Sequence, residues 1–319
     1  MTANALAVSE QEAAHVRKAQ AADKTFRVAL FIATGLFIVL ICALFANLLQ
    51  GSWASIKAFG PAFLWTSAWN PVTSKFGALP LIYGTVVSSG IAITLASFVG
   101  ILAAAYLADF CPRAIAQPLS FMIELLAAVP SVVFGLWGLF VLAPIMRESF
   151  GPFLQSKLGF LPLFQGPIYG PGLLTAGIIL AIMIVPTVTA ISRDIIVAVI
   201  AQHREASIAL GATRWETMGR VILPAARSGI FGACILALGR ALGETIAATM
   251  VIGNKPEIAA SLFAPSYTLS SVIANEFTEA TSDLYLSALI ELGLVLFVVS
   301  MIVNGVARVL TWTVLQGRG

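Results

Sequence analysis

The chain is predicted to be an all-α membrane protein with six transmembrane helices. Three observations lead there. Of 319 residues, 59% are hydrophobic and 10% charged, whereas a soluble globular domain carries about 25% Asp, Glu, Lys and Arg. So little charge cannot cover a surface facing water. The mean hydropathy of +0.95 excludes a disordered chain as well. The apolar residues also fall in long uncharged runs, each able to cross about 30 Å of hydrocarbon as a helix. A formal charge of +3 is too small and dispersed to point to nucleic acid. Cys42 and Cys234 lie in apolar runs and Cys111 in a short polar turn, with no CxxC and no neighbouring His. Neither a disulfide framework nor a zinc site is indicated.

Residues 1–27 are polar and mixed in charge, and form an N-terminal segment ahead of the apolar run 28–49. A cleavable signal has an apolar core of about 7–15 residues. The run here is longer and is read as a retained first span. The further spans are expected at about 79–107, 116–145, 172–192, 229–252 and 284–315, so that residues 28–315 form one transmembrane domain and 316–319 a short end. No internal repeat, low-complexity tract or separate soluble domain is evident. Six spans put both termini on one side, and positive residues decide which side it is. Arg17, Lys18, Lys24, Arg27, Arg113, Arg193, Arg204, Arg214, Arg220, Arg227, Arg308 and Arg318 lie on the side of the termini, and Lys57, Lys75, Arg147, Lys157 and Lys255 on the other. Both termini and the loop 193–228 are therefore expected in the cytoplasm. Longer loops at about 50–78, 146–171 and 253–283 should face outward, with Trp53, Trp65 and Trp69 as interfacial anchors after the first span.

The loop 193–228 is long for a connection between two spans. Residues 193–210 read as a helix that Gly211 ends, glycine being suited to a positive φ at a helix C-terminus. Thr213 and Glu216 fit a T-x-x-E capping box, so a second short helix should start at Thr213 and run until Pro224 interrupts it. Trp215 and Met218 lie three apart on that helix as a small apolar knob. The elbow either packs under its own bundle or docks on a partner.

The string Glu205-Ala206-Ser207, then Gly211, then Val221-Ile222-Leu223-Pro224 resembles the E-A-A-x3-G-x9-I-x-L-P loop of ABC importer permeases. Ser207 stands for Ala and Val221 for Ile. The resemblance implies a type I ABC importer permease fold, with Glu205, Ala206, Gly211, Trp215, Leu223 and Pro224 in a coupling helix seated on an ATP-binding subunit. The chain has no G-x4-G-K-[ST] phosphate loop, so ATP hydrolysis is expected from another subunit.

Four ionisable residues fall within the expected spans: Glu124, Arg240, Glu244 and Glu291. A charge at mid-bilayer costs about 2.5–3.5 kcal/mol on insertion scales and needs pairing or water. Glu124 and Glu291 lie near span ends, where structural roles suffice. Arg240 would lie about 16 Å into the fifth span, with Glu244 one turn further on the same face. That pair is either a buried structural ion pair or an oxyanion contact, since guanidinium donates several hydrogen bonds to phosphate or carboxylate and stays charged. Gly239 and Gly243 supply a G-x-x-x-G spacing that permits close helix approach, and Thr245 and Thr249 add hydroxyls.

The stretch from Gly239 to Thr245, GRALGET, followed by Met250-Val251-Ile252-Gly253-Asn254, resembles the fifth transmembrane helix of the C-type permease of phosphate-specific ABC importers. The stretch ELLAAVPSVVFGLWGLF from Glu124 is similar to that family's third span. The resemblance implies a permease subunit of a bacterial inner-membrane importer for inorganic phosphate, working by alternating access. It places Arg240, Glu244 and Thr245 on the substrate path. It also implies a second, A-type permease, an ATPase dimer and an extracytoplasmic phosphate-binding protein, with no catalysis, metal or cofactor on this chain. A sulfate or molybdate permease is the near alternative, because those permeases share the A-L-G-E letters. An ion-coupled secondary transporter would leave the elbow unexplained. An intramembrane enzyme is least favoured, since His15 and His203 both fall outside the spans.

Overall fold

A computed structural model describes residues 2–316, with side-chain surroundings for 23–200, 203–309 and 311–312. The side chains of His15, Arg17 and Lys18, and Arg318 in the end segment, lie outside the described residues. Two units are distinguished, Met1–Gly51 and Ser52–Gly319. The first is a single helix, α1 (Thr2–Gly51), of 50 residues. Its stretch Asp23–Gly51 is long and apolar enough to cross a bilayer. The polar residues before it continue the same helix, being mostly Ala, Gln, Glu and Lys, all good helix formers.

The second unit begins with α2 (Trp53–Phe59) and a 3-10 turn, Gly60–Leu64. There follow α3 (Leu79–Phe110), α4 (Arg113–Ala127), α5 (Ser131–Leu158), α6 (Leu173–Ala209) and α7 (Arg214–Leu242). The last three are α8 (Ile246–Val251), α9 (Leu269–Glu276) and α10 (Asp283–Gln316). With α1, the helices α3, α5, α6, α7 and α10 supply six segments able to span a membrane. The described residues contain no β-strand, only isolated bridges such as that between Asn70 and Lys75.

The third span differs from the sequence expectation of 116–145. Pro130 has no amide hydrogen and disfavours helix at the residue before it, so α4 ends at Ala127 and a new helix starts at Ser131. Residues 116–127 therefore belong to α4. The span runs on to Leu158, taking in Arg147 and Lys157, which the sequence reading had put in an outer loop. Arg147 pairs with its neighbour Glu148 at 2.8 Å.

The centre of the unit is the packing of α3 along α6. Ala92 and Ala96 on one side meet Ile179, Leu180, Met183, Ile184 and Val188 on the other, all buried. Lipid tails are as apolar as these side chains, so close packing rather than escape from water holds such helices together. Small residues set how near they come. A Cβ added at Gly177 would lie 2.7 Å from Ile91 Cγ2, and one at Gly100 2.9 Å from Val188 Cγ1.

The end of the unit away from the chain termini is capped by a second apolar cluster. Phe76 stacks on Tyr285 with centroids 5.2 Å apart, and Trp69 donates its Nε1 hydrogen to Glu276 Oε2 at 2.8 Å. Trp69 is only 9% exposed. It is thus a core residue of this cap rather than an interfacial anchor, while Trp53 and Trp65 are exposed. The loop beside it is dry enough that burial pushes the Tyr267 phenol up to about 12, with a hydrogen bond from Asn275 partly opposing the shift. The same region caps α6. The amides of Gly172, Leu173 and Leu174, at a helix start that has no internal partners for them, donate to the carbonyls of Val251, Ala264 and Leu262 at 2.9, 3.1 and 2.8 Å.

Candidate functional site

The fifth span also departs from expectation, and the difference reshapes the candidate path. Helix α7 stops at Leu242. Gly243, Glu244 and Thr245 form a break before α8, instead of one continuous helix over 229–252. Glycine is a poor helix former, and the backbone groups freed by the break find other partners, as they must inside a membrane. Ser270 Oγ donates to the Glu244 carbonyl at 2.7 Å. The Glu244 carboxylate accepts the Ala247 amide at 3.2 Å, capping α8, and the Thr245 hydroxyl donates to the Gly243 carbonyl at 3.3 Å.

Glu244 therefore does not stand one turn above Arg240 on a shared face. None of the ion pairs among the described residues joins the two. Arg240 instead donates through Nη1 to Thr187 Oγ1 and through Nη2 to the Ala127 carbonyl, each at 3.3 Å. Both acceptors are neutral, so the guanidinium keeps its charge uncompensated. Thr187 lies midway along the membrane-crossing part of α6, and Ala127 ends α4 at the break before α5. Nothing local in the sequence marks these two partners, because Thr187 is a lone hydroxyl in the apolar run of another span and the Ala127 carbonyl is freed only by the helix end there.

Arg240 faces an open groove of about 540 Å³, lined by Thr187, Ile235, Leu236, Gly239, Arg240 and Asn304. The G-x-x-x-G spacing does not mark a close contact within the chain. A Cβ at Gly239 would find only the Asn304 amide, at 3.7 Å, and one at Gly243 only the Gly239 carbonyl, also at 3.7 Å. At Gly239 the missing side chain keeps the groove open beside Asn304.

The elbow lies at the far end of α6. That helix runs unbroken from the span through residue 209, so the helix expected over 193–210 is the continuation of the fourth span. It ends in a Schellman motif: the Ala212 amide donates to the Ser207 carbonyl at 3.2 Å, the Gly211 amide to that of Ile208 at 2.9 Å, and Gly211 has φ +85°. The capping box is present, with the Glu216 amide donating to Thr213 Oγ1 at 3.3 Å and the Thr213 amide to Glu216 Oε2 at 3.0 Å. Pro224 does not end the helix that follows. A π-helical turn at Met218–Ile222 widens the backbone just before it, and the Leu223 amide reaches the Met218 carbonyl. The chain then continues as one helix to Leu242.

The expected knob divides. Met218 is buried against Ile196, Ile222 and Ala226, whereas Trp215 is 73% exposed, with its ring 4.8 Å from that of Phe110. Glu205, Ala206 and Pro224 are exposed and Leu223 is half-buried. Leu210, passed over in the sequence, is 89% exposed next to them. Ser207, where the motif has Ala, is buried and shares a hydrogen bond of 3.0 Å with Thr217 Oγ1. Arg204 Nη1 reaches Asp109 Oδ1 at 2.6 Å, joining α6 to the end of α3.

The other two acids stand apart from the groove. Glu124 is exposed on α4, outside the third span. Glu291 is 6% exposed on α10, the one ionisable residue lining a separate apolar groove of about 610 Å³.

Comparison with known proteins places this arrangement. Residues 96–312 match the family model described as binding-protein-dependent transport system inner membrane component. The chain belongs to that family. It is therefore a multi-pass membrane permease component, one part of a larger transporter. It is 47% identical over 306 residues to the phosphate transport system permease protein PstC of Mesorhizobium japonicum, covering 95% of this chain and 94% of that protein. The protein of the same name in Pasteurella multocida is 43% identical, with 91% of each chain covered. The probable PstC of Methanocaldococcus jannaschii is 36% identical, covering 86% of this chain and 88% of the relative. Among solved structures, an inward-facing form of the MetNI methionine ABC transporter aligns with a TM-score of 0.50 at 16% identity, over 72% of this chain and 94% of that one. This permease accordingly has the type I ABC importer fold.

Proposed function

We propose that the chain is the permease subunit of an ATP-driven importer that moves inorganic phosphate across the bacterial inner membrane by alternating access. The observation that carries this reading is Arg240, a charge near the end of α7 and beside the middle of α6 that faces an open groove and is held by two neutral oxygens. An arginine kept only for packing would be matched by a carboxylate, since an unpaired charge in the membrane is costly. One left uncompensated beside a groove lowers the barrier for an anion, and its planar fork suits phosphate. The relatives named as phosphate transport permeases favour phosphate over sulfate or molybdate. Both termini and the elbow face the cytoplasm in this reading. The elbow residues Glu205, Ala206, Gly211, Trp215, Leu223 and Pro224 meet an ATPase dimer, which supplies all ATP hydrolysis. A second, A-type permease completes the channel, and an extracytoplasmic binding protein delivers phosphate. Thr245 and Glu244 contribute by shaping the break above Arg240, with no metal or cofactor involved.

The test is phosphate uptake normalised to assembled complex. Arg240→Gln is expected to lower uptake at least about tenfold with normal membrane insertion, and Arg240→Lys to restore it only in part, because ammonium lacks the fork. Adding Glu244→Gln to Arg240→Gln should bring no recovery, since no ion pair exists to relieve. Substantial recovery in the double variant would reject the path role.

A further inference from the structure

We infer that the Thr187 hydroxyl is a second donor to the transported anion, completing with Arg240 a two-residue cradle for a tetrahedral oxyanion. The inference rests on Arg240 lying on the substrate path and deepens that reading by adding a binding group from another helix. Thr187 lies on α6 and Arg240 on α7, and both line the open groove of about 540 Å³. Thr187 is half-buried there, and its Oγ1 receives Arg240 Nη1 at 3.3 Å. Guanidinium has no acceptor, so the hydroxyl accepts in this contact and does not spend its own hydrogen on it.

That hydrogen lacks the outlet that other threonines use. Thr85 and Thr94 on α3 and Thr311 on α10 each donate to the carbonyl four residues back at 2.8 Å, a bond that satisfies a hydroxyl within its own helix. Thr187 makes no such bond, and among the described residues no group accepts its hydrogen. Thr189 on the same helix also has no partner, but it is 1% exposed and lines no part of the groove. Thr187 alone of the two faces space that an anion can enter. Both bonds from the guanidinium are 3.3 Å long, against about 2.9–3.0 Å for an ordinary N–H···O bond. A charged oxygen offers Arg240 shorter and stronger ones, of about 2.7–2.9 Å. An oxyanion that takes this offer lies beside Thr187 Oγ1, which is already in contact with Nη1. The hydroxyl can then keep accepting from Arg240 while it donates to a second oxygen of the anion. Accepting from a cation polarises the O–H and strengthens that donation.

The experiment reads occupancy of the groove by inorganic phosphate in the assembled transporter, with the binding protein left out. Cys42, Cys111 and Cys234 are replaced by Ala, and the exposed groove residue Leu236 is changed to Cys. Its alkylation by N-ethylmaleimide is timed against phosphate concentration at constant ionic strength. Thr187→Val keeps the shape and removes the hydroxyl, and should raise the phosphate concentration that halves the rate by about tenfold or more. Thr187→Ser should stay within about threefold of the parent, and Thr189→Val, which removes the hydroxyl outside the groove, within about twofold. A threonine that only held the guanidinium in place would matter no longer once the arginine was gone. Thr187→Val added to Arg240→Lys is therefore expected to cost at least about a further fivefold, because the hydroxyl acts on the anion itself. A double variant no worse than Arg240→Lys would overturn the inference. So would protection that Arg240→Gln removes but Thr187→Val leaves unchanged, with the Arg240 path then left standing. No protection of the parent at any phosphate concentration would remove the groove from the path and overturn both.

Discussion

Gly211 shows how one residue sets the geometry of the elbow. At φ +85° it occupies the left-handed region, which costs a residue with a β-carbon about 1–2 kcal/mol and a β-branched one more. Nothing lies within 4 Å of where its Cβ would be, so the penalty would be purely conformational. Gly211→Val is therefore expected to shift the turn and uncouple ATP hydrolysis from uptake, with the chain still inserted. Gly211→Asn, which tolerates that region, should keep most of the coupling. Trp215→Ala should uncouple without altering the turn. ATPase activity measured with and without loaded binding protein tells these apart, and full coupling in Gly211→Val would reduce the loop to a structural connection. Gly211, Thr213 and Glu216 were legible in the sequence because a helix end is encoded within a few residues. The partners of Arg240 were not. Thr187 and Asn304 are ordinary polar residues in apolar runs, 53 and 64 positions from Arg240 in the chain, and only tertiary packing brings them to it.

Two contacts tie the elbow to the end of α3: the ring of Phe110 against Trp215, and the ion pair of Asp109 with Arg204. The acid is 1% exposed and the arginine 29%, so removing the arginine strands a buried carboxylate. Breaking such a pair costs about 3–5 kcal/mol when the remaining charge is buried, and less in proportion to the water that reaches it. Arg204→Ala is thus expected to lower the thermal unfolding midpoint of the detergent-solubilised complex clearly more than Asp109→Asn, which leaves a partly solvated arginine and a neutral amide. Equal effects would show that the contact is packing and not charge. At this scale the sequence was readable wherever a helix was uninterrupted, as in α3 and α6. It misled where an apolar run hid a break. Pro130 was visible but lay inside a run of spanning length. Gly243 gave no warning, since with Gly239 it forms a G-x-x-x-G spacing that membrane helices use for close packing without a break. The reverse held at Pro224, where a π-helical turn let the helix continue through a residue that usually ends one.

Across the whole molecule, positive charge keeps its asymmetry once the spans are known. Outside the candidate spans, Lys57, Lys75 and Lys255 lie on one side and Arg17, Lys18, Arg113, Arg204 and Arg318 on the side of the termini. Both termini are accordingly expected in the cytoplasm. A reporter fused after Gly319 should be active only in its cytoplasmic form, and periplasmic activity would reject the six-span arrangement. The number of spans and the fold class were legible because a bilayer admits few architectures and hydropathy reveals them directly. The groove was not, because it is formed by α6, α7 and α10 together and belongs to no single segment. The exposed Leu210 and Trp215 bear on the economy of the cell as well as on transport. On the function proposed above, a copy without an ATPase on that face presents bare apolar side chains to water, the kind of surface that quality-control proteases act on. Surplus copies should then be degraded, and raising the dosage of this gene alone should leave the number of working transporters where its partners set it.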